Sequence, residues 1–253
     1  CQTHHRPIVQ LIEKILRAHN VEAKKKAIFT EIRNLSVRPV LRSVGESINY
    51  IYEDHLNIHI DLSVGVEKLR DDLHKNRRRG LKKAIKSGLG DFVIKTDNLD
   101  DLYSIVQHTY ERIRIPMPPK SLFESIIEIL QEQGHARVVG VKFEDTLVGV
   151  GVYLTFNDVI YLWYNTDNRD YSNHGVGEYV LWSAIEWAEG KGFRVFDFGG
   201  AGRREQKYGV RDFKLTMGGH LVDLGRLIYI HSRPKAMITK IGYKVWRVIQ
   251  RIR

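Results

Sequence analysis

Cysteine is almost absent from this chain: Cys1 is the single one among 253 residues. One cysteine forms neither an intrachain disulfide nor a cysteine-based zinc site, so we expect a reducing, cytoplasmic setting. Long apolar runs are also lacking, because no stretch approaches the ~20 residues that cross a bilayer, and no signal-peptide pattern is visible in the sequence. The eleven histidines include no HExxH motif. The sequence therefore predicts no metal site and no membrane-spanning helix.

An initiating methionine is lacking too, since Cys1 stands first. Two interpretations are open: a lipid-modified mature terminus, or a fragment or processed chain. We expect the second, because apolar positions with helical spacing begin at once and no tether precedes them. These positions are Ile8, Leu11, Ile12, Ile15 and Leu16.

Acidic residues are missing from two segments. The chain has 40 Lys and Arg against 30 Asp and Glu, which gives a net charge of +10. Seven of the cations lie between Leu73 and Gly90 without an acid, and eight follow Asp223, again without one. This bias favours partners that carry phosphates, such as nucleic acid, nucleotides, anionic lipid or a phosphorylated precursor. A basic surface that is only solvated is the alternative.

Hydrophobic residues make up 43% of the chain, enough for one large domain or two small ones. Periodicity predicts helix over 8–33 with a break near His19-Asn20, a strand over 56–62 and a helix over 66–88 that Gly80 interrupts. After that helix the predicted order is strand, two helices, three antiparallel strands, helix, strand, short helix and strand. This order predicts an α/β (α+β) fold.

A turn with the sequence His174-Gly175-Val176-Gly177 precedes the helix that follows the three strands. Glycine allows the backbone to approach a ligand closely, and the N–H groups at a helix start bind phosphate oxygens. These four residues are therefore candidates for binding the phosphates of a donor. A tight strand-to-helix connection is the alternative, because it explains the same glycines without a ligand.

The three strands, the helix with its glycine-bearing start and the next strand together resemble the acetyltransferase (GNAT) fold. In that family the G-x-G turn receives the pyrophosphate of coenzyme A, in a V-shaped gap between two strands. The family turn usually has Gln or Arg three residues before its first glycine, where this chain has Ser172. This departure favours a donor other than coenzyme A.

Two longer motifs make the resemblance narrower. The stretch "KGFRVFDFGGA" with the later "GVRDFKLTMGG", and the basic stretch "LHKNRRRGLKKAIKSGL" (73–89), resemble the FemAB group, aminoacyltransferases that build peptidoglycan cross-bridges. The upstream "EIRN" and "HIDLS" fit the same group, so the resemblance spans about residues 31–231. It implies a GNAT-like acyltransferase fold with a mixed, mostly antiparallel sheet flanked by helices.

Members of this group usually have a tandem arrangement of two acetyltransferase-like domains. The resemblance implies that residues 91–231 form a complete one. It also implies that residues 1–90 are the C-terminal part of a first, incomplete domain and contain the basic helix. Residues 232–253 are predicted as a separate basic amphipathic helix.

This C-terminal helix has two distinct faces. Its apolar face has Ile238, Ile241, Val245, Val248 and Ile252, and its basic face has Lys240, Lys244, Arg247 and Arg251. Such a helix is typical of a peripheral contact with a membrane surface. Docking on the chain's own domain is the alternative.

The resemblance also implies roles for residues in the second half of the chain. It places the group's functional Phe-Lys on Phe213 and Lys214. The Lys214 ammonium would face the developing oxyanion or the donor phosphates, and Phe213 would either stack on a base or belong to the core. Asp197 has two interpretations, as general base for the attacking amine or as cap of the Gly199-Gly200 turn. We favour the cap.

The basic helix supplies the last group of candidates, which share one face by their i, i+3 and i+4 spacing. They are Arg79, Lys82, Lys83 and Lys86. A nucleotide diphosphate, a polyprenyl pyrophosphate headgroup or the backbone of tRNA would suit this face. A solvated helix face is the alternative.

Together these features predict a bacterial acyltransferase that moves an aminoacyl or acyl group to an amine of a cell-wall precursor or another envelope glycan. The acceptor would be lipid-linked or nucleotide-linked. The expected donor is aminoacyl-tRNA, with acyl-coenzyme A as the alternative, and no permanently bound cofactor is expected. Two other functions stay open: an acyl-CoA-dependent N-acetyltransferase, and a non-catalytic binder of anionic precursor or RNA.

Overall fold

The computed structural model of the chain describes residues 5–36, 38–205 and 207–252, with side chains described from Arg6 to Trp246 within these ranges. The helices are α1 (His5–Lys26), α2 (Pro39–Ser47), α3 (Val66–Asp72), α4 (Lys75–Lys86), α5 (Leu99–Ile113), α6 (Lys120–Ser125), α7 (Val176–Gly190), α8 (Gly209–Leu215) and α9 (Arg233–Ile252). The strands are β1 (Phe29–Arg33), β2 (Ile51–Glu53), β3 (Leu56–Asp61), β4 (Gly90–Val93), β5 (Ala136–Phe143), β6 (Thr146–Phe156), β7 (Val159–Asp167), β8 (Val195–Gly200), β9 (His220–Asp223) and β10 (Arg226–Ile230). A π-helical segment, Ile126–Gln131, continues α6, and a 3-10 segment, Arg169–His174, precedes α7.

The chain forms two compact units. The smaller comprises Cys1–Leu56, Arg203–Glu205 and Asp223–Arg253, and the larger comprises Asn57–Gly202 and Gln206–Val222. The strand β3 and the helices α3 and α4, which lie within the predicted region 1–90, therefore belong to the larger unit. The interpretation of residues 1–90 as the end of a first domain stays a prediction.

The smaller unit contains a three-stranded antiparallel sheet in the order β1-β10-β2. The predicted break of the first helix near His19-Asn20 is wrong, because α1 continues to Lys26. Asn20 is accommodated since its side-chain oxygen accepts a hydrogen bond from the Tyr50 hydroxyl at 2.8 Å. Residues 29–33, predicted as helix, form β1, whose hydrogen-bonding partner β10 is distant in the sequence.

The larger unit contains a seven-stranded sheet in the order β4-β5-β6-β7-β8-β3-β9. The three predicted antiparallel strands are confirmed as β5, β6 and β7. Their connecting turns place Glu144 and Asn157 at φ values of 53° and 51°, in the left-handed region that tight turns require. The predicted fold class is confirmed, since the sheet is mixed, mostly antiparallel and flanked by helices.

The strands β7 and β8 are parallel, and they pair over only part of their length. Their register extends from Val159–Val195 to Tyr161–Asp197. Beyond these pairs β7 continues to Asp167 and β8 to Gly200. The two strand ends therefore enclose a wedge, which corresponds to the V-shaped gap that the resemblance implies.

The predicted basic helix over 66–88 is divided into α3 and α4. The interruption lies at Leu73 and His74, whose ψ values of 134° and 142° are extended. His74 then caps α4, because its Nδ1 accepts a hydrogen bond from the Asn76 N–H at 3.4 Å. Gly80, predicted as the interruption, lies inside α4. None of the described helices is long and apolar enough to cross a bilayer.

Candidate active site

Asp197 lies near the end of β8 and is fully buried. The Asn57 side-chain amide donates to both of its carboxylate oxygens, at 3.0 and 2.8 Å. The Gly199 N–H donates to Oδ1 at 2.7 Å. Gly199 adopts a φ of 70°, which explains the glycine at this turn. The predicted capping role of Asp197 is confirmed by this hydrogen bond.

Lys214 on α8 reaches the same end of β8. Its Nζ donates to the carbonyl oxygens of Phe198 at 2.6 Å and Gly200 at 2.9 Å. Both carbonyl groups belong to the part of β8 that no longer pairs with β7. Burial lowers the pKa of the Lys214 ammonium to about 8, against the opposing attraction of Asp197. The predicted Phe-Lys lysine therefore lies half-buried at the wedge between the strands.

The turn after α8 explains how Lys214 is held there. Gly218 adopts a φ of 91°, and Met217 beside it is buried. At Gly219 a Cβ would overlap the side chain of Ile58 on β3. The Met-Gly-Gly sequence thus allows the chain to pass closely over β3, which fixes the end of α8 against the sheet.

His59 is a site residue that the sequence analysis missed. It lies on β3 directly opposite Asp197, and its Nε2 is 3.3 Å from Oδ2 of that carboxylate. The His59 side chain is 13% exposed, whereas Asp197 is not exposed at all. A signal was present in the sequence, because Asn57, His59 and Asp61 are alternate polar residues in an otherwise apolar strand.

Phe213 is half-buried and packs against a cation. The guanidinium of Arg77 lies 4.7 Å from the centre of its ring. Arg77 also forms an ion pair with Glu178 at the start of α7 and donates a hydrogen bond to the Thr216 hydroxyl at 3.1 Å. Arg77 therefore connects α4, α7 and the end of α8, and Phe213 is part of that junction.

The predicted phosphate-binding turn at His174–Gly177 packs against α4. Gly175 is buried with a φ of 75°, and a Cβ there would overlap the carbonyl oxygen of Gly80. His174 lies 3.3 Å from the Ser87 hydroxyl through its Nδ1, and Val176 is fully buried. Only at Gly177 would a Cβ meet no neighbour within 4 Å. Packing on α4 therefore accounts for the first glycine of the turn.

The four predicted cations of α4 lie on its exposed face, opposite the buried Leu81 and Ala84. These cations are Arg79, Lys82, Lys83 and Lys86. Among the residues that the structure describes, none of the four forms an ion pair. The face is therefore available to an anionic partner.

Comparison with known proteins identifies the class. The family model of the Acetyltransferase (GNAT) domain matches residues 71–214, which is more than half of the 253 residues. The chain belongs to this family and is an acyltransferase.

Solved structures narrow the fold to the FemAB-like form. FemX has a TM-score of 0.70 at 15% sequence identity, over 89% of this chain and 79% of its own. L-PGS from Bacillus licheniformis has a TM-score of 0.65 at 13% identity, over 94% of this chain and 78% of its own. A tandem GNAT protein from the clavulanic acid biosynthesis pathway has a TM-score of 0.55 at 10% identity, over 85% of this chain and 68% of its own. No curated protein matches the chain significantly.

Proposed function

We propose that the chain transfers an aminoacyl group from aminoacyl-tRNA to an amine of a cell-wall precursor or another envelope glycan in the bacterial cytoplasm. The observation that carries this proposal is Lys214, held by Phe198 and Gly200 at the wedge between β7 and β8. Its pKa of about 8 keeps most of the ammonium protonated at neutral pH.

The reaction requires stabilisation of negative charge on the carbonyl oxygen of the donor ester. A preorganised ammonium stabilises the oxyanion more strongly at a half-buried site than in water, since the local dielectric constant is lower. The lowered pKa also makes Lys214 a stronger hydrogen-bond donor toward the developing oxyanion. Phe213, with Arg77 over its ring, is proposed to position the terminal base of the donor.

Two features support tRNA rather than coenzyme A as the donor. Gly175 lies under the Gly80 carbonyl, and the carboxylate of Glu178 lies in the first turn of α7, so this helix start is a poor site for a pyrophosphate. The exposed cations of α4, by contrast, are spaced along a helix and suit a phosphate backbone. We propose that Arg79, Lys82, Lys83 and Lys86 bind the donor tRNA or an anionic acceptor.

The acceptor is proposed to be lipid-linked or nucleotide-linked, and α9 supports a contact with a membrane surface. Met237, Ile238 and Ile241 are exposed on this helix beside Lys240 and Lys244. The predicted positions Val248, Ile252, Arg247 and Arg251 lie outside the side chains that the structure describes. A basic helix with exposed apolar residues binds anionic membranes through both burial and charge.

The test is a transfer assay with labelled aminoacyl-tRNAs or labelled acetyl-coenzyme A as donor. The acceptors are a UDP-linked muramyl pentapeptide and its lipid-linked form. We expect amide product with aminoacyl-tRNA, and at least a ~100-fold lower rate for Lys214→Ala. Lys191→Ala, an exposed lysine at the end of α7, is the matched control. Product with acetyl-coenzyme A alone would overturn the donor assignment. Retention of tRNA without product from any acceptor would instead indicate a non-catalytic binder.

A further inference from the structure

The buried cluster around Asp197 contains a second titratable side chain, His59. The proposed role of Lys214 in stabilising the oxyanion assigns no function to it. His59 faces the carboxylate from β3, with Nε2 at 3.3 Å from Oδ2. Asp197 itself has no exposed surface and already accepts hydrogen bonds from Asn57 and Gly199. The carboxylate is therefore closed to solvent, whereas 13% of the His59 side chain is exposed.

We propose that His59 is the general base that removes the proton from the acceptor amine, and that Asp197 is its positioning residue. This inference rests on the proposed aminoacyl transfer and adds the second group that the reaction needs.

Two buried polar atoms next to Asp197 lack hydrogen-bond partners. Asn57 Oδ1 and His59 Nε2 are both buried and have no hydrogen-bond partner among the described residues. Buried polar atoms normally have hydrogen-bond partners. Two such atoms without a partner beside one carboxylate therefore indicate a functional site. Catalytic hydrogen bonds are often poorly aligned before substrate binds. A small rotation of the imidazole would let Nε2–H donate to Asp197 and would leave Nδ1 as the proton acceptor.

The charged surroundings suit an imidazole that gains a proton during the reaction. Asp197 on β8 faces it directly, and Lys214 on α8 interacts electrostatically with that carboxylate. His220 on β9 approaches edge-on, with 6.4 Å between the ring centres, and the carboxylate of Asp61 lies two residues further along β3. The fixed negative charge of Asp197 would stabilise the imidazolium, as an aspartate does in a hydrolase triad.

The step balances without another reactant. The acceptor nitrogen forms a C–N bond to the donor carbonyl carbon, while its proton passes to Nδ1 of His59. The Lys214 ammonium stabilises the oxyanion. The C–O bond to the donor ribose then breaks, and the proton leaves His59 for that ribose oxygen. The products are the amide and the free 2′- or 3′-hydroxyl of the tRNA.

The test uses single-turnover transfer by the full chain from aminoacyl-tRNA, measured from pH 5.5 to 9.5. The falling limb of the wild-type profile should come from Lys214, whose pKa is lowered to about 8. His59→Gln should lower the rate about 100- to 10,000-fold and leave both tRNA retention and the falling limb of Lys214 unchanged. His135→Gln, an exposed histidine at the start of β5, is the matched control. Added imidazole should restore part of the rate of His59→Ala, because truncation to alanine leaves the space of the lost ring for the free base.

The outcomes separate this inference from the proposed function. No product from the wild type with any acceptor removes the proposed function itself. Transfer by the wild type at a rate that His59→Gln leaves unchanged overturns the role of His59 alone. If neither His59 variant folds, His59→Asn, which keeps a smaller polar side chain, takes their place with the same expected loss of rate, and an unchanged rate contradicts a histidine base.

Discussion

Asn57 and Asp197 are 140 residues apart in the chain, yet the amide nitrogen of the first lies within 3.0 Å of both carboxylate oxygens of the second. The contact joins the neighbouring strands β3 and β8 of the seven-stranded sheet. It fixes the carboxylate so that one edge faces His59 and the other caps the Gly199 turn. The pair therefore determines the position of the carboxylate on which the proposed role of His59 depends.

Asn57→Ala should destabilise the protein by about 2–4 kcal/mol, because it leaves a buried carboxylate without two of its hydrogen bonds. Urea unfolding followed by circular dichroism measures the change. Asn173→Ala, an exposed asparagine in the segment before α7, should change the free energy of unfolding by no more than about 0.5 kcal/mol. Equal effects of the two variants would contradict the assigned role of Asn57.

The lowered pKa of Lys214 predicts how stability depends on pH. Between about 8 and its ordinary value of 10.5, the unfolded state holds the Lys214 proton while the folded state has released it. Stability rises with pH wherever the unfolded state binds more protons. The free energy of unfolding of the wild type, minus that of Lys214→Met, should therefore increase from pH 8 to pH 10.5 and be constant below pH 7. A flat difference in urea titrations at these pH values would refute the lowered pKa.

The two glycines of the turn before α7 should respond differently to alanine. Gly175→Ala should cost more than about 2 kcal/mol, because its φ is 75° and the new methyl group would overlap the backbone of Gly80. Gly177→Ala, which meets no neighbour, should be neutral or stabilise the helix by up to about 1 kcal/mol. Thermal unfolding of both variants checks this, and a similar loss in the two would argue against packing on α4 as the reason for Gly175.

Sequence reasoning succeeded where the information is local. The strands β5, β6 and β7 are long apolar runs separated by short polar turns, and α7 is bounded by glycines. The resemblance also singled out Lys214, because its Phe-Lys motif lies in one continuous stretch, and its functional role stays a prediction. Such features need no knowledge of which distant segments pair.

The incorrect predictions concern features that depend on distant segments of the chain or on unusual residues. The strand β1 has five residues and is stabilised by β10, whose Ile230 pairs with Phe29, so local helix propensity was misleading. The division between α3 and α4 involves Leu73 and a capping His74, neither of which is a recognised helix breaker. His59 became a candidate only because it contacts Asp197 across the β3–β8 pair. A pairing between distant strands cannot be deduced from either segment alone.

The apolar face of α9 should bind anionic membranes. Vesicles of phosphatidylglycerol and phosphatidylcholine should retain the protein, and pure phosphatidylcholine should retain it much less. Ile238→Gln with Ile241→Gln should weaken retention about 10-fold or more, since each exposed isoleucine would otherwise be buried in lipid. Ile129→Gln, at another exposed isoleucine, should have no effect. Equal retention by both vesicle types would contradict the contact.

The cationic face of α4 should determine how tRNA binding depends on salt. Each phosphate contact contributes about 0.7–0.9 to the slope of log K against log salt concentration, because bound counterions are released. Replacing Arg79, Lys82, Lys83 and Lys86 by Gln should therefore reduce the slope by about 3 and weaken binding at low salt. The matched control replaces Lys14, Lys24, Lys26 and Lys191, four exposed lysines elsewhere, and removes the same charge. Filter retention of labelled tRNA from 50 to 300 mM salt distinguishes the two variants. If the control reduces the slope as much as the α4 variant, net charge rather than this helix face attracts the tRNA, and the assignment of the donor-binding surface fails.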